Sequence, residues 1–275
     1  MTVLFAALLG LIQGITEFLP VSSSGHLAVF QNFLGMKKVD TFFDVLLHFA
    51  TLIAVCIVYW QDIVDMVKEF FGFFRDLRHP KPEEDSPKSA RRLLFMIIIA
   101  TLPLFLVLPF SSKIENLSNN MYFIGIAFLI TGGILLLSDR MQHGRRTEKN
   151  MTIGNALTIG ICQAIATLPG ISRSGSTISA GMAVGLNRSF AVKFSFLLSL
   201  PAIIGANILS FASALKEGVD VSLLPAYLVG MLVAGVSGYF AIGLVKVLAQ
   251  KGKFGKICYY CFAAGITTIV LQIIL

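Results

Sequence analysis

"LPGISRSGSTIS", Leu168–Ser179, sets Arg173, five hydroxyl side chains (Ser172, Ser174, Ser176, Thr177, Ser179) and two glycines (Gly170, Gly175) inside otherwise apolar sequence. The chain has 275 residues, 56% of them hydrophobic and 13% charged, with mean hydropathy +0.81. So much apolar surface needs lipid as its solvent, which excludes a soluble domain. The net charge of +7 sits on no basic stripe of a soluble domain, so nucleic-acid binding is excluded as well. Polar backbone at membrane depth is tolerated only where protein buries it or a water-filled cavity solvates it. The quoted stretch is therefore expected to line an internal cavity.

Crossing about 30 Å of hydrocarbon takes roughly 20 apolar residues. Six segments qualify: 41–60, 93–110, 121–138, 194–215, 223–245 and 257–275. Two other apolar stretches do not read as plain spans. Residues 2–34 are broken by Pro20 and the SSSGH run, and residues 151–186 by Pro169-Gly170 and the SRSGST run. Each is long enough to enter, turn and leave on one side as a re-entrant hairpin. The N-terminus carries no basic leader and no small-residue cleavage site, and is expected to be retained.

The two broken stretches resemble each other. A shift of 150 residues lays Gly10 and Gln13 on Gly160 and Gln163, and Ser22, Ser24 and Gly25 on Ser172, Ser174 and Gly175. A shift of 151 lays "FDVLLHFATLIA" (Phe43–Ala54) on "FSFLLSLPAIIG" (Phe194–Gly205). The expected architecture is one all-α polytopic membrane domain, 1–275, with two repeats. Repeat one, 1–138, has the hairpin 2–34 and spans 41–60, 93–110 and 121–138. Repeat two, 151–275, has the hairpin 151–186 and spans 194–215, 223–245 and 257–275. Three spans per repeat require the copies to be inverted relative to each other.

Charge gives the orientation. Under six spans, the loops around 61–92, 139–152, 187–193 and 246–256 hold 17 of the 22 Lys and Arg residues. The opposite side holds only Lys37, Lys38, Lys113 and Lys216. The positive-inside rule makes the first side cytoplasmic and puts both termini outside. The hairpins then dip in from opposite sides, and their tips are expected to meet near the midplane. "DIVDMVKEFFGFFRDLRH", Asp62–His79, reads as an interfacial amphipathic helix, and "HPKPEEDSPKSA" as a solvated turn.

The first tip is "QGITEFLPVSSSGH", Gln13–His26. Gln13 and Glu17 share a helical face and Pro20 ends that helix. One of Ser22, Ser23 and Ser24 is expected to cap a new helix beginning near Gly25-His26. Exposed N–H groups and the dipole at such an N-terminus favour an anion. The second tip repeats the design and adds Arg173, whose guanidinium matches phosphate by paired hydrogen bonds. Together the tips describe a site for a multiply charged oxyanion. Glu17 and His26 supply acid–base capacity and a serine near His26 a nucleophile. Glu17 is also a candidate ion-pair partner for Arg173. Asp44 and His48, one turn apart, face either this site or the loop side. Cys258 and Cys261 form a CYYC whose simplest reading is two small side chains in a membrane helix, since no further Cys or His stands near to complete a zinc site.

"QGITEFLPVSSSGH" and "LPGISRSGSTIS" resemble the two signature regions of the undecaprenyl-diphosphate phosphatase family of bacitracin-resistance type. That family carries an acidic residue or glutamine, three residues, then glutamate, ahead of PVSS(S/T)GH, and later PG-x-SRS-x-x-T. "FDVLLHFATLIAV", "FSFLLSLPA" and the overall layout extend the resemblance to the whole chain. It implies a bacterial inner-membrane enzyme, its site open to the periplasm, that removes the terminal phosphate of a C55 isoprenoid diphosphate to regenerate the lipid carrier of cell-wall synthesis. It also implies support by a divalent cation, Mg2+ or Ca2+. By motif, Glu17, Ser23, His26 and Arg173 are the catalytic positions. Gln13, Ser22, Ser24, Ser172, Ser174 and Thr177 are the head-group binding positions, and Glu17 is a metal ligand. Where family members have Glu at position 13, two carboxylates are offered to a metal, and Gln13 removes one. Membrane lipid and the polyprenyl diphosphate are the expected partners. Nucleic acid is not expected, and the oligomeric state, a homodimer included, stays open.

Inverted repeats with broken hairpins also describe carriers. The rival reading is a polyprenyl-phosphate flippase using the same head-group site. A non-catalytic scaffold would leave both polar tips without a use. Either Ser23 or an activated water is the attacking group in the phosphatase reading.

Overall fold

In lipid every backbone N–H and C=O needs a partner within its own segment, so apolar runs become helices. The computed structural model describes residues 1–33, 41–78, 89–141, 144–217 and 220–275. Its α-helices are α1 (Val3–Phe18), α2 (Ser23–Phe33), α3 (Thr41–Val58), α4 (Trp60–Arg78), α5 (Ser89–Phe105), α6 (Ser111–Asn116), α7 (Met121–Ser138), α8 (Ile153–Ile165), α9 (Arg173–Ala183), α10 (Arg188–Glu217), α11 (Leu224–Gln250) and α12 (Cys258–Ile274). Of the expected solvated turn over 79–90, residues 79–88 lie outside the described residues, and Ser89 and Ala90 instead open α5; Leu34 and the basic residues Lys37, Lys38, Lys81 and Lys88 also lie outside the described residues.

Among the described residues five stretches are long and apolar enough to cross a membrane: Ser89–Asn119, Met121–Ser138, Arg188–Ile208, Val221–Gln250 and Phe254–Ile274. A sixth passes when α3 and α4 are taken together, although they are bent by 85° at Tyr59. The expected span 41–60 therefore ends in a sharp turn, not in a loop. α4 carries Val67, Phe70, Phe71 and Phe74 outward, and Arg91 of α5 ties it down through Glu69 (3.0 Å) and Asp76 (2.6 Å). The helix expected at 93–110 leaves α-geometry after Phe105, two residues past Pro103, and that expected at 194–215 starts earlier, at Arg188.

α1 has 16 residues and α8 has 13. At 1.5 Å per residue they are roughly 24 and 20 Å long, short of a full crossing. Each is followed by a break and an 11-residue helix, α2 or α9.

Lipid provides no hydrophobic drive between helices, so their association rests on close backbone approach at small residues. α1 lies along α11 and α8 along α5. A Cβ on Gly10 would collide with the Gly230 carbonyl, and one on Gly160 with the Ala100 carbonyl. The same contact thus recurs between α1 and α11 and between α8 and α5. α7 and α12 approach in the same way, Gly125 against Gly265. Outward faces stay apolar, as at Ile126, Ile130, Leu232, Val236, Phe240, Ile266 and Ile273, which suits contact with acyl chains.

Candidate active site

The break after α1 is local chemistry. Pro20 cannot continue the helix, and the chain leaves through Leu19 in extended geometry. Ser22 takes φ +69°, a left-handed conformation uncommon for a residue with a Cβ. Its Oγ then accepts from the Gly25 N–H at 3.2 Å, capping α2. α2 starts at Ser23, earlier than the Gly25-His26 start expected, so Ser23 and Ser24 lie in its first turn. At the second break Gly170 takes φ +88°, and Ser172 Oγ accepts from the Gly175 N–H at 3.1 Å to cap α9. Ser22 and Ser24 hydroxyls lie 3.3 Å apart, and those of Ser172 and Ser174 3.2 Å apart.

The tips meet face to face. A Cβ on Gly25 would reach Gly170 at 3.0 Å, and one on Gly175 would reach Pro20 at 3.1 Å. Gly170 N–H donates to Ser24 Oγ at 3.4 Å. Pro20, which stands where the second tip has Gly170, has no N–H, and Ser174 Oγ donates instead to the Leu19 carbonyl at 3.4 Å. Larger side chains at these glycines would hold the tips apart.

Glu17 ties the tips together. It is buried, and its Oε1 accepts from Arg173 Nη2. Oε2 accepts from Ser23 Oγ at 2.6 Å and from Gln13 Nε2 at 3.0 Å. His48 Nε2 lies 3.9 Å from the same oxygen. Since a carboxylate accepts and does not donate, the Gln13 amide must turn its N–H to Glu17, leaving Oε1 buried and without a partner among the described residues. A half-buried arginine in an apolar bundle needs an anion, and Glu17 supplies it.

Ser23 is bonded to Glu17, so the structure places the serine hydroxyl on the carboxylate rather than on His26. His26 turns the other way. Its Nδ1 sits 2.7 Å from the Ser22 carbonyl, which only accepts, so Nδ1 carries hydrogen. In the neutral ring Nε2 then accepts from the Tyr260 hydroxyl, also at 2.7 Å. The Tyr260 ring stacks on the imidazole, centroids 5.6 Å apart and planes 7° apart, and Phe128 packs edge-on at 5.0 Å. His48 follows the same logic: Nδ1 donates to the Asp44 carbonyl at 3.0 Å, which aims Nε2 at Glu17. Of the two placements left open for His48, the structure takes the site side. Asp44 lies one turn away on α3, and one of its carboxylate oxygens is buried with no hydrogen-bond partner among the described residues.

Other expected residues are turned inward. Thr177 is buried, donates to the Arg173 carbonyl at 2.8 Å and meets Ser195 Oγ at 2.6 Å, bracing α9 against α10. Thr131 of α7 supports the second tip: it donates to the Gly170 carbonyl (3.3 Å) and accepts from the Ser172 N–H (3.1 Å). Cys261 of α12 does the like for the first tip, its Sγ 3.6 Å from the Pro20 carbonyl. Cys258 and Cys261 are both buried, and no group of three or more metal-binding side chains forms among the described residues. Sequence reasoning missed Tyr260, Thr131 and Ser195 because each lies in an apolar helix outside both tips, where nothing local marks it as the partner of a tip residue.

A match to the bacitracin resistance protein BacA family covers residues 6–267 and both tips. The chain belongs to that family. Among its BacA-type relatives, a protein of Methanobrevibacter smithii is 42% identical over 97% of this chain and 96% of its own, and one of Carboxydothermus hydrogenoformans 40% over the same shares. A protein of Methanosphaera stadtmanae is 37% identical over 99% of both chains. All three are named undecaprenyl-diphosphatase. BacA membership fits a multi-pass helical membrane protein whose polar side chains converge on one carboxylate.

Proposed function

We propose that the chain hydrolyses undecaprenyl diphosphate to undecaprenyl phosphate and inorganic phosphate, and that the two tips form the site. One observation carries the mechanism. Glu17 holds Ser23 by one carboxylate oxygen and Arg173 by the other, so nucleophile, base and cation from opposite halves share one group. Arg173 uses Nη2 on Glu17, and its other N–H groups, with no partner among the described residues, can clasp the terminal phosphate. The N-termini of α2 and α9 add partial positive charge where phosphoryl oxygens gain negative charge. As the phosphate draws Arg173 toward itself, Glu17 loses its counter-charge and becomes a better acceptor for the Ser23 proton.

Ser23 Oγ then attacks the terminal phosphorus in line. The bond from that phosphorus to the bridging oxygen breaks, and undecaprenyl phosphate leaves with the electron pair. Water then attacks the phosphorus of the phosphoserine and gives its proton to a neighbouring base; the bond from phosphorus to Ser23 Oγ breaks, Glu17 returns its proton to that oxygen, and inorganic phosphate leaves. The Ser23–Glu17 bond favours this course over direct attack by water. Gln13, Ser22, Ser24, Ser172 and Ser174 surround the head group, His26 is a second acid–base group, and Thr177 contributes by bracing α9.

A divalent cation, Mg2+ or Ca2+, fits this set. Gln13 Oε1 is a buried oxygen without a partner beside the Glu17 carboxylate, and hard cations are commonly held by one or two protein oxygens plus substrate phosphates. When bound it neutralises phosphate charge.

The wider arrangement belongs to the same reading. The halves are inverted repeats, 1–138 and 151–275, and α1–α2 and α8–α9 are re-entrant hairpins. Supporting this are the short α1 and α8, the paired serine caps 150 residues apart, and the recurring glycine contacts of α1 on α11 and α8 on α5. Basic residues concentrate on one side, and by the positive-inside rule that side is read as cytoplasmic and the termini as outside. The family resemblance adds the inner membrane and a site open to the periplasm.

The test is phosphate release from undecaprenyl diphosphate by the purified protein in detergent, with Mg2+ and with chelator, beside Arg173→Ala and Glu17→Gln. Release by the parent and its loss in both variants is expected. A folded, lipid-binding protein that releases none overturns the reading in favour of a carrier.

A further inference from the structure

We infer that the basic end of the bundle holds a second anion site, separate from the tips, that takes the phosphate of a lipid head group. A cavity of about 250 Å³ opens there between α3, α10 and α11, lined by Tyr59, Ser189, Val192, Lys193, Lys246 and Gln250. At roughly 30 Å³ per water it has room for a phosphate group with some hydration. The tips do not reach it. Phe18, next to Glu17, packs edge-on against Phe196 at 5.4 Å, and Phe196 leans on Tyr59 at 6.3 Å. Three rings therefore separate the Glu17 carboxylate from the cavity.

Its lining is built for an anion. Lys193 is paired with Asp62 at 2.5 Å. Lys246 has no ion pair among the described residues; its ammonium lies over the Tyr59 ring, 4.2 Å from the centroid. Tyr59 is 5% exposed, and its hydroxyl is buried with no hydrogen-bond partner among the described residues. A buried hydroxyl left unpaired costs stability, so a ligand that accepts from it and neutralises Lys246 satisfies both groups together. Gln250 Nε2 and Ser189 Oγ, 3.4 Å apart, add donors at the rim. Lysine offers a mobile point charge to phosphate, and three neutral donors around it suit a group with several acceptor oxygens.

Position selects the source. Tyr59 follows the last residue of α3, Ser189 and Lys193 lie in the first turns of α10, and Lys246 and Gln250 in the last turns of α11. Lys251, Lys253 and Lys256 follow in the chain. This is helix-end depth, where phospholipid phosphates lie, on the side where basic pockets between helices meet anionic head groups.

Full-length protein in detergent is titrated with phosphatidylglycerol, phosphatidylcholine or inorganic phosphate, and the tightest adduct is followed by native mass spectrometry. Lys246→Gln is expected to weaken that phosphatidylglycerol adduct about tenfold, and Tyr59→Phe about three- to tenfold, with phosphatidylcholine weak throughout. Tyr59→Phe keeps the ring and its packing, so it carries the test if Lys246→Gln does not fold. Inorganic phosphate held at millimolar level with the same dependence on both residues would make free phosphate the source and keep the site. Adducts of phosphatidylglycerol and phosphate that ignore Tyr59→Phe overturn it.

Discussion

The two polar tips are built alike and equipped differently. Each has a capping serine three residues ahead of a glycine N–H, a second serine whose hydroxyl touches the cap, and a glycine that lets the opposite tip approach. The first residue of the helix is where they part: Ser23 opens α2 and Arg173 opens α9, 150 residues apart. Both reach the same carboxylate, one on each oxygen. Glu17 itself stands where the second half has Thr167, which is exposed and only bonds back to its own helix. Two similar tips thus set a serine hydroxyl and a guanidinium on the two oxygens of one carboxylate. The proposed mechanism uses the first as nucleophile and the second as phosphate-binding cation.

The sharpest way to break this comparison is to remove the shared group. Glu17→Gln deletes the proton acceptor and the anion facing Arg173, and phosphate release should fall about a thousandfold. Activity within tenfold of the parent would show that the tips do not act through Glu17. Arg173→Lys keeps the charge and loses the planar fork, so turnover is expected to drop about a hundredfold with Lys and further with Ala. Equal rates for the two substitutions would reduce the arginine to an anchor for Glu17. Ser23→Ala should lower release about a hundredfold and abolish any phosphoseryl peptide trapped during turnover. An active Ser23→Ala protein without burst kinetics would hand the attack to water and leave the tips differing only in charge.

Smaller effects probe the supports. Tyr260→Phe keeps the ring on His26 but removes its hydrogen bond, and a few-fold fall in kcat with KM unchanged is expected. Binding that weakens while kcat holds would place Tyr260 against the substrate instead. Ser22→Ala and Ser172→Ala each remove one cap and should cost about 1 kcal/mol by denaturant unfolding in detergent. A much larger loss at one tip would show that the two frames are not equivalent.

Much of this was legible in residue order. Span positions follow from apolar run length, and the 121–138 helix has the bounds expected of it. Where proline or a long polar insert intervenes, the bounds moved: Pro103 ends α5 near Phe105, and α3 bends into α4 because the amphipathic stretch after Tyr59 has no wholly apolar circumference to continue a span. Gln13 and Glu17 were legible as neighbours because they lie one helical turn apart. Ser23 and His26, three residues apart in α2, were not legible as separated, since their partners come from α1 and α12.

By itself the sequence determined that the protein lives in lipid, where its spans run, and that two similar polar breaks interrupt them. Composition, periodicity and a 150-residue spacing carry that information. Only the tertiary structure decided that Glu17 joins Ser23 to Arg173, that Tyr260 takes the base nitrogen of His26, that Thr177 faces Ser195, and that Cys261 sits beneath Pro20. Each of these contacts joins residues of different elements, and helix-to-helix register in lipid is set by small residues closing on one another, as Gly10 does on Gly230, which no local pattern of polarity records.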